Sequence, residues 1–125
     1  MNSTSDSKKY DLEDRTAEFG ERTIKFCKQV KQDAITKPLV SQLIRPSTSI
    51  GANYMEANGA SSRKDFRNKI FICKKESQET KHWLRMLATS CEERKDEIRK
   101  LWTEAQELTM IFQKITTSLQ KSKIE

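Results

Sequence analysis

Glycine and proline are nearly missing from this chain: three and two among 125 residues. That excludes a fold built on many tight turns, and any Gly-rich phosphate loop. Histidine occurs once, as His82. One histidine cannot supply two Glu-x-x-His segments, so a di-metal bundle site falls away, as does a zinc site of paired histidines. The helical ribonucleases that place an Arg four to six residues before a His are also excluded, because Glu76, Ser77 and Gln78 stand there. Apolar runs are short, as at Ile70 to Ile72 and Met110 to Phe112, and none approaches the ~20 residues of a membrane span. The segment MNSTSDSKKYD is polar and offers no signal-peptide core. Aromatics are 7% and apolar residues 34%. That is lean for a lone globule, yet enough for one apolar stripe per helix.

Charge is abundant. The chain carries 24 basic and 18 acidic side chains, a net charge of +6. The excess is local: residues 63–85 hold eight basic and three acidic groups. Such a field attracts polyanions or acidic partners. The cysteines Cys27, Cys73 and Cys91 are odd in number, far apart and without a CxxC. They are expected as buried, inert thiols in a reducing cytoplasm. No cofactor, metal or catalytic residue is expected.

The apolar spacing predicts four helices. The first runs from Leu12 through Phe19, Thr23, Phe26 and Val30 to Ala34, with Ala17 and Cys27 beside the stripe. Thr36-Lys37-Pro38 reads as the next start. That helix shows Val40, Leu43, Ser47, Ile50, Tyr54 and Ala57, with Pro46 inside it and a kink expected near Gln42. Asn58-Gly59 ends it, both being residues that tolerate the left-handed conformation. Ser61 or Ser62 caps the third, which carries Phe66, Ile70, Cys73, Ser77, Thr80, Leu84, Leu87 and Cys91 as a heptad seam. The fourth shows Leu101, Ala105, Leu108, Phe112, Ile115 and Leu119. Short connections then predict an all-α, up-down antiparallel four-helix bundle over residues 11–121. Flexible tails are expected at 1–10 and 122–125.

Three surface features remain. On the third helix Arg67, Lys74 and Lys81 recur every seven residues, with Lys64 and Arg85 on the adjoining line and Arg63 and Lys75 as helpers. A row of cations suits a nucleic-acid backbone read by charge and shape. A second apolar stripe, Ile72, Trp83 and Met86, suggests a subunit interface. Asn53, Glu56, Glu76 and Glu79 are placed to form a structural polar cluster. The expected function is non-enzymatic binding of structured RNA or DNA by a homo-oligomer. The alternative is a scaffold or accessory subunit that docks an acidic or polymerase-like protein.

Residues 42–87 resemble the signature of a bacterial family. They carry Gln42-Leu43, Ser49-Ile50-x-x-Asn53-x-x-Glu56, Asp65-Phe66, Lys75-Glu76, Glu79-Thr80 and Trp83-Leu84. Weaker similarity covers Asp14 to Val30, with Glu18-Phe19, and Glu107-Leu108, so that the resemblance spans roughly residues 12–119. The family is the four-helix-bundle proteins first noted as open reading frames inside intervening sequences of 23S ribosomal RNA genes. The resemblance implies a left-handed bundle assembled as a homopentameric ring, and it implies no enzymatic activity. It is similar too to the accessory variability proteins of diversity-generating retroelements, basic pentameric barrels that bind nucleic acid and a reverse transcriptase. On this resemblance Asn53, Glu56, Glu76 and Glu79 are structural. Pro46 departs from the pattern, which usually has a small non-proline residue there.

Overall fold

The computed structural model describes residues 11–124. The tail expected at residues 1–10 lies outside the described residues. Four α-helices follow in order: α1 Leu12–Gln29, α2 Thr36–Asn58, α3 Arg63–Ser90 and α4 Lys95–Ile124. A short 3₁₀ turn, Glu92–Arg94, joins the last two. Each helix packs on the next, and α1 closes back on α4. Among the described residues there is no strand. The result is an all-α four-helix bundle, as the four stripes predicted.

The stripes are the core. Phe19, Leu43, Ile50, Ile70, Leu84, Leu87, Leu108 and Phe112 are fully buried. Tyr54 of α2 meets Phe112 of α4 across the core, with ring centres 6.1 Å apart. Each large apolar side chain withdrawn from water stabilises the fold by about 1.5–3 kcal/mol. The seam also buries hydroxyls, and each is satisfied within its own helix. Thr23 donates to Phe19 O at 2.9 Å, Ser77 to Cys73 O at 2.8 Å, and Thr80 to Glu76 O at 2.8 Å. A polar seam residue bonded to its own turn needs no partner across the bundle. The lean apolar composition is therefore sufficient.

Helix ends follow from side-chain oxygens. Asp11 caps α1 by accepting from Asp14 N at 3.2 Å. Ser62 caps α3 by accepting from Asp65 N at 3.0 Å. Such caps contribute about 1 kcal/mol each. Three boundaries differ from the spacing. First, α1 stops at Gln29, and Ala34 is exposed in the connection. There Asp33 Oδ1 accepts from the backbone N–H groups of Ile35 and Thr36, both at 2.8 Å. The Thr36 hydroxyl donates to Lys31 O at 2.6 Å. These local bonds outcompete a further helical turn. Second, α2 ends at Asn58 without a left-handed residue. Gly59 has φ −98°, and its N–H reaches Glu56 O at 3.1 Å. Third, Cys91, the last stripe residue, lies just past the end of α3 and is still buried.

Pro46 sits inside an unbroken α2 and is buried. The Thr48 hydroxyl donates to Ile44 O at 2.8 Å, adding a local bond beside the position that lacks an amide donor. In the α3–α4 turn Arg94 ties the bundle's end together. It donates to the backbone carbonyl and the side chain of Gln29 and lies 5.2 Å from the centre of the Phe26 ring.

Candidate nucleic-acid interface

The two flanks of α3 have different chemistry. A 3.6-residue repeat puts Arg67, Lys74 and Lys81 on the flank that faces α4, and Glu76, Glu79 and Trp83 on the flank that faces α2. The stripe from Arg67 to Arg85 extends roughly 27 Å.

On the α4 side the cations meet neutral partners. Lys74 Nζ donates to Gln113 Oε1 at 2.9 Å, and Lys81 Nζ donates to Gln106 Oε1. Each ammonium also lies over an aromatic ring. Lys74 is 5.6 Å from the centre of Phe71, and Lys81 is 5.4 Å from that of Trp102. A neutral amide positions a cation without cancelling its charge. At one end of the stripe Arg63, Lys64 and Arg67 line an open hollow of about 530 Å³, with Leu119 of α4. At the other end Arg85 is joined by Lys95 and Arg99 of α4 around a second hollow. Lys75 is exposed and stands further round the helix.

The acids of α4 turn elsewhere. Glu104 and Glu107 both bind Arg15 of α1, with N···O distances of 2.7 Å each. Glu97 binds Arg94. Among the described residues no carboxylate lies within ion-pair distance of Arg67, Lys74, Lys81, Arg85, Lys95 or Arg99. Along these six residues the α3/α4 face is thus a cationic strip, while Glu104 and Glu107 of α4 are drawn to the α1 side. Lys95, Arg99, Trp102, Gln106 and Gln113 are members that the sequence reading missed. Their signal was the helical phase of α4, which places them toward α3 once the bundle is closed.

The α2 side of α3 is the opposite. Arg45 of α2 reaches Glu79 at 2.7 Å and Glu76 at 3.8 Å. Ser49 donates to Glu76 Oε2 at 3.3 Å, and Asn53 donates to Ser49 Oγ at 2.8 Å. So Asn53, Glu76 and Glu79 are joined through Ser49 and Arg45. Glu56 is held apart by Lys69 at 2.7 Å. Burial, and then the Glu79 carboxylate beside it, pushes Glu76 above the ordinary carboxylate range. Burial opposes ionisation of Glu79 as well, but Glu76 and Arg45 outweigh it and hold Glu79 below that range. Of the two, Glu76 therefore takes up a proton at the higher pH. Two buried polar atoms here have no hydrogen-bond partner, Glu76 Oε1 and Trp83 Nε1. Trp83 packs against the core, while Ile72 and Met86 are half-buried.

The three thiols are buried. Burial pushes Cys27 to about 11 and Cys73 to about 12, far from the thiolate needed for attack at neutral pH. Among the described residues no three His, Cys, Asp or Glu side chains gather to hold a metal. No described helix is long and apolar enough to cross a membrane.

Comparison with solved structures places the bundle beside a crystal structure from Bacteroides thetaiotaomicron VPI-5482, described as a protein with unknown function from the S23 ribosomal protein family. The two share 30% identity and a TM-score of 0.74, over 84% of this chain and 97% of that one. No curated protein matches. Residues 8–114 match the family described as 23S rRNA-intervening sequence protein. With four helices in place and most of its length matched, the chain belongs to the 23S rRNA-intervening sequence protein family.

Proposed function

We propose that this protein is a non-enzymatic, oligomeric bundle that binds structured RNA through the α3/α4 face. One observation carries the reading: Arg67, Lys74, Lys81, Arg85, Lys95 and Arg99 form a cationic strip on two helices, with Lys74 and Lys81 held by glutamines and none of the six within ion-pair distance of a described carboxylate. Such a strip contributes affinity through counterion release and carries little base-reading geometry. The family name refers to 23S rRNA, which favours RNA as the polyanion. The buried, high-pKa thiols favour a binding role over nucleophilic catalysis and suit a reducing cytoplasm.

A second surface favours self-association. Ile72 and Met86 remain half-exposed beside two buried polar atoms without partners. A neighbouring copy on the α2/α3 flank would cover the first and satisfy the second. In a homopentameric ring the basic faces would repeat and modest contacts would become avid. The test is fluorescence anisotropy of labelled stem-loop RNA titrated with protein at several salt concentrations. Saturable submicromolar binding that weakens steeply with salt supports the reading. No binding at low salt overturns it and assigns the face to an acidic protein.

A further inference from the structure

We infer that the hollow between the end of α3 and the start of α4 takes an unpaired nucleobase together with its phosphate, so that the RNA docks by a loop or bulge rather than by plain duplex. This rests on the RNA-binding reading of the α3/α4 face and names the part of the RNA that the face selects. The hollow measures about 400 Å³, within the roughly 300–1,000 Å³ of small-molecule sites. Leu84 and Ile98 give it apolar lining, and Trp102 lines it too. Arg85, Lys95 and Arg99 stand around it. An open hollow with apolar and aromatic lining, bordered by cations, matches a nucleotide: a π-faced base with an anion attached.

Trp102 is 38% exposed, a large aromatic left at the surface next to the most basic helix. Lys81 lies against its ring but does not line the hollow. Trp102 thus both carries the Lys81 ammonium and lines the hollow. Duplex RNA keeps its bases stacked inside and can offer this hollow only phosphates. An unpaired base can enter it and stack, which strengthens binding by roughly ten-fold or more per base.

The experiment uses the full chain and three labelled RNAs of equal phosphate number: a hairpin with an unpaired loop, a fully paired duplex, and the hairpin with an abasic loop. The hairpin is expected to bind about ten-fold tighter than the other two and to quench tryptophan emission. Trp102→Ala should erase that advantage, so that the variant binds the hairpin no more tightly than it binds the duplex. Trp102→Phe should restore most of the affinity and lose the quench, which separates stacking from a folding defect. Equal binding of all three RNAs, with Trp102→Ala unaltered, overturns the base slot and leaves the basic face standing. Failure of every RNA to bind overturns both. Adenosine monophosphate binding as tightly as the hairpin would reassign the hollow to free nucleotides and overturn the loop reading.

Discussion

Arg15 on α1 holds Glu104 on α4 with one edge of its guanidinium, Nε donating at 2.7 Å and Nη2 at 2.9 Å. The pair is mostly buried, with 18% and 17% of the two side chains exposed. A planar fork on a carboxylate is stronger than a point contact. The same guanidinium also takes Glu107. So one arginine closes the bundle and draws two carboxylates to the α1 side of α4, away from the basic face. Arg15→Ala should cost about 1–2 kcal/mol in urea unfolding. Arg15→Lys should recover only part of it, because an ammonium cannot fork. Full recovery by lysine would show that charge alone suffices there.

RNA binding should respond to the stripe as a unit. If about five of the cations meet phosphates, the log–log salt slope is roughly −3.5 on single strands and −4.5 on duplex. Reversing Arg67, Lys74 and Lys81 together to Glu should abolish binding at moderate salt and flatten the slope. Helical content measured by circular dichroism should persist, since these positions lie outside the buried core. Unchanged affinity in that triple variant would remove the stripe from the interface.

The fold was almost wholly legible because a heptad seam needs only spacing. Phe66 to Leu87 marks α3 without help from tertiary structure. The misses came where local hydrogen bonds decide. Asp33 and Thr36 stop α1 short of Ala34 through side-chain bonds that periodicity does not record. The binding face was half legible. Arg67, Lys74 and Lys81 were visible as a row on one helix. Whether that row keeps its charge depends on which way the acids of the neighbouring helix turn. Glu104 and Glu107 look as available to Lys81 as to Arg15 until α1 is placed beside them. Trp102 was hidden for the same reason, being an isolated apolar residue on one helix and part of the hollow's lining once α3 is placed.

The close approach of α1 to α2 gives a stability test. A Cβ built on Gly20 would meet Ser47 O and the Thr48 Cα at 3.5 Å, ordinary contact distance. Alanine is also the better helix former, by about 0.8–1.0 kcal/mol. Gly20→Ala should therefore stabilise by about 0.5–1 kcal/mol. At Gly51 the new Cβ would stand 3.4 Å from the backbone of Thr16 and Ala17. Backbone yields less readily than a side chain, so Gly51→Ala should gain less. A lower melting temperature for Gly20→Ala would mean that the helices pack tighter than these distances allow.

Glu76 and Glu79 set opposite pH dependences. Glu76 is raised by burial from its ordinary value of 4.5. A raised acid binds more protons folded than unfolded, so its contribution is full below 4.5 and fades as pH climbs through the raised value. Glu79 is lowered, so its contribution is present above 4.5 and fades as pH falls. Glu76→Gln keeps the shape and removes the titration. It should stabilise the protein at pH 7 by a few tenths to about 1 kcal/mol and reduce the loss of stability as pH climbs through the raised value. Chemical unfolding at pH 5 and pH 7 measures both, and a Gln variant weaker at pH 7 would show that Arg45 and Ser49 need the charge.

The proposed assembly surface can be separated from the fold. Trp83 packs against the core, so Trp83→Ala removes core contact as well as any contact with a neighbour. Ile72 and Met86 are half-buried on the same flank and are not part of that packing. Ile72→Asp should therefore leave the monomer folded and break the oligomer, because a carboxylate cannot be covered by an apolar neighbour without a partner. Met86→Asp should act in the same way. Light scattering on both variants, beside circular dichroism, reads the two properties independently. Loss of the oligomer with helical content retained places the interface on the α2/α3 flank and gives Glu76 Oε1 and Trp83 Nε1 their missing partners. An oligomer intact in both variants would move the interface to another face, and those two buried atoms would then be a cost the monomer bears alone.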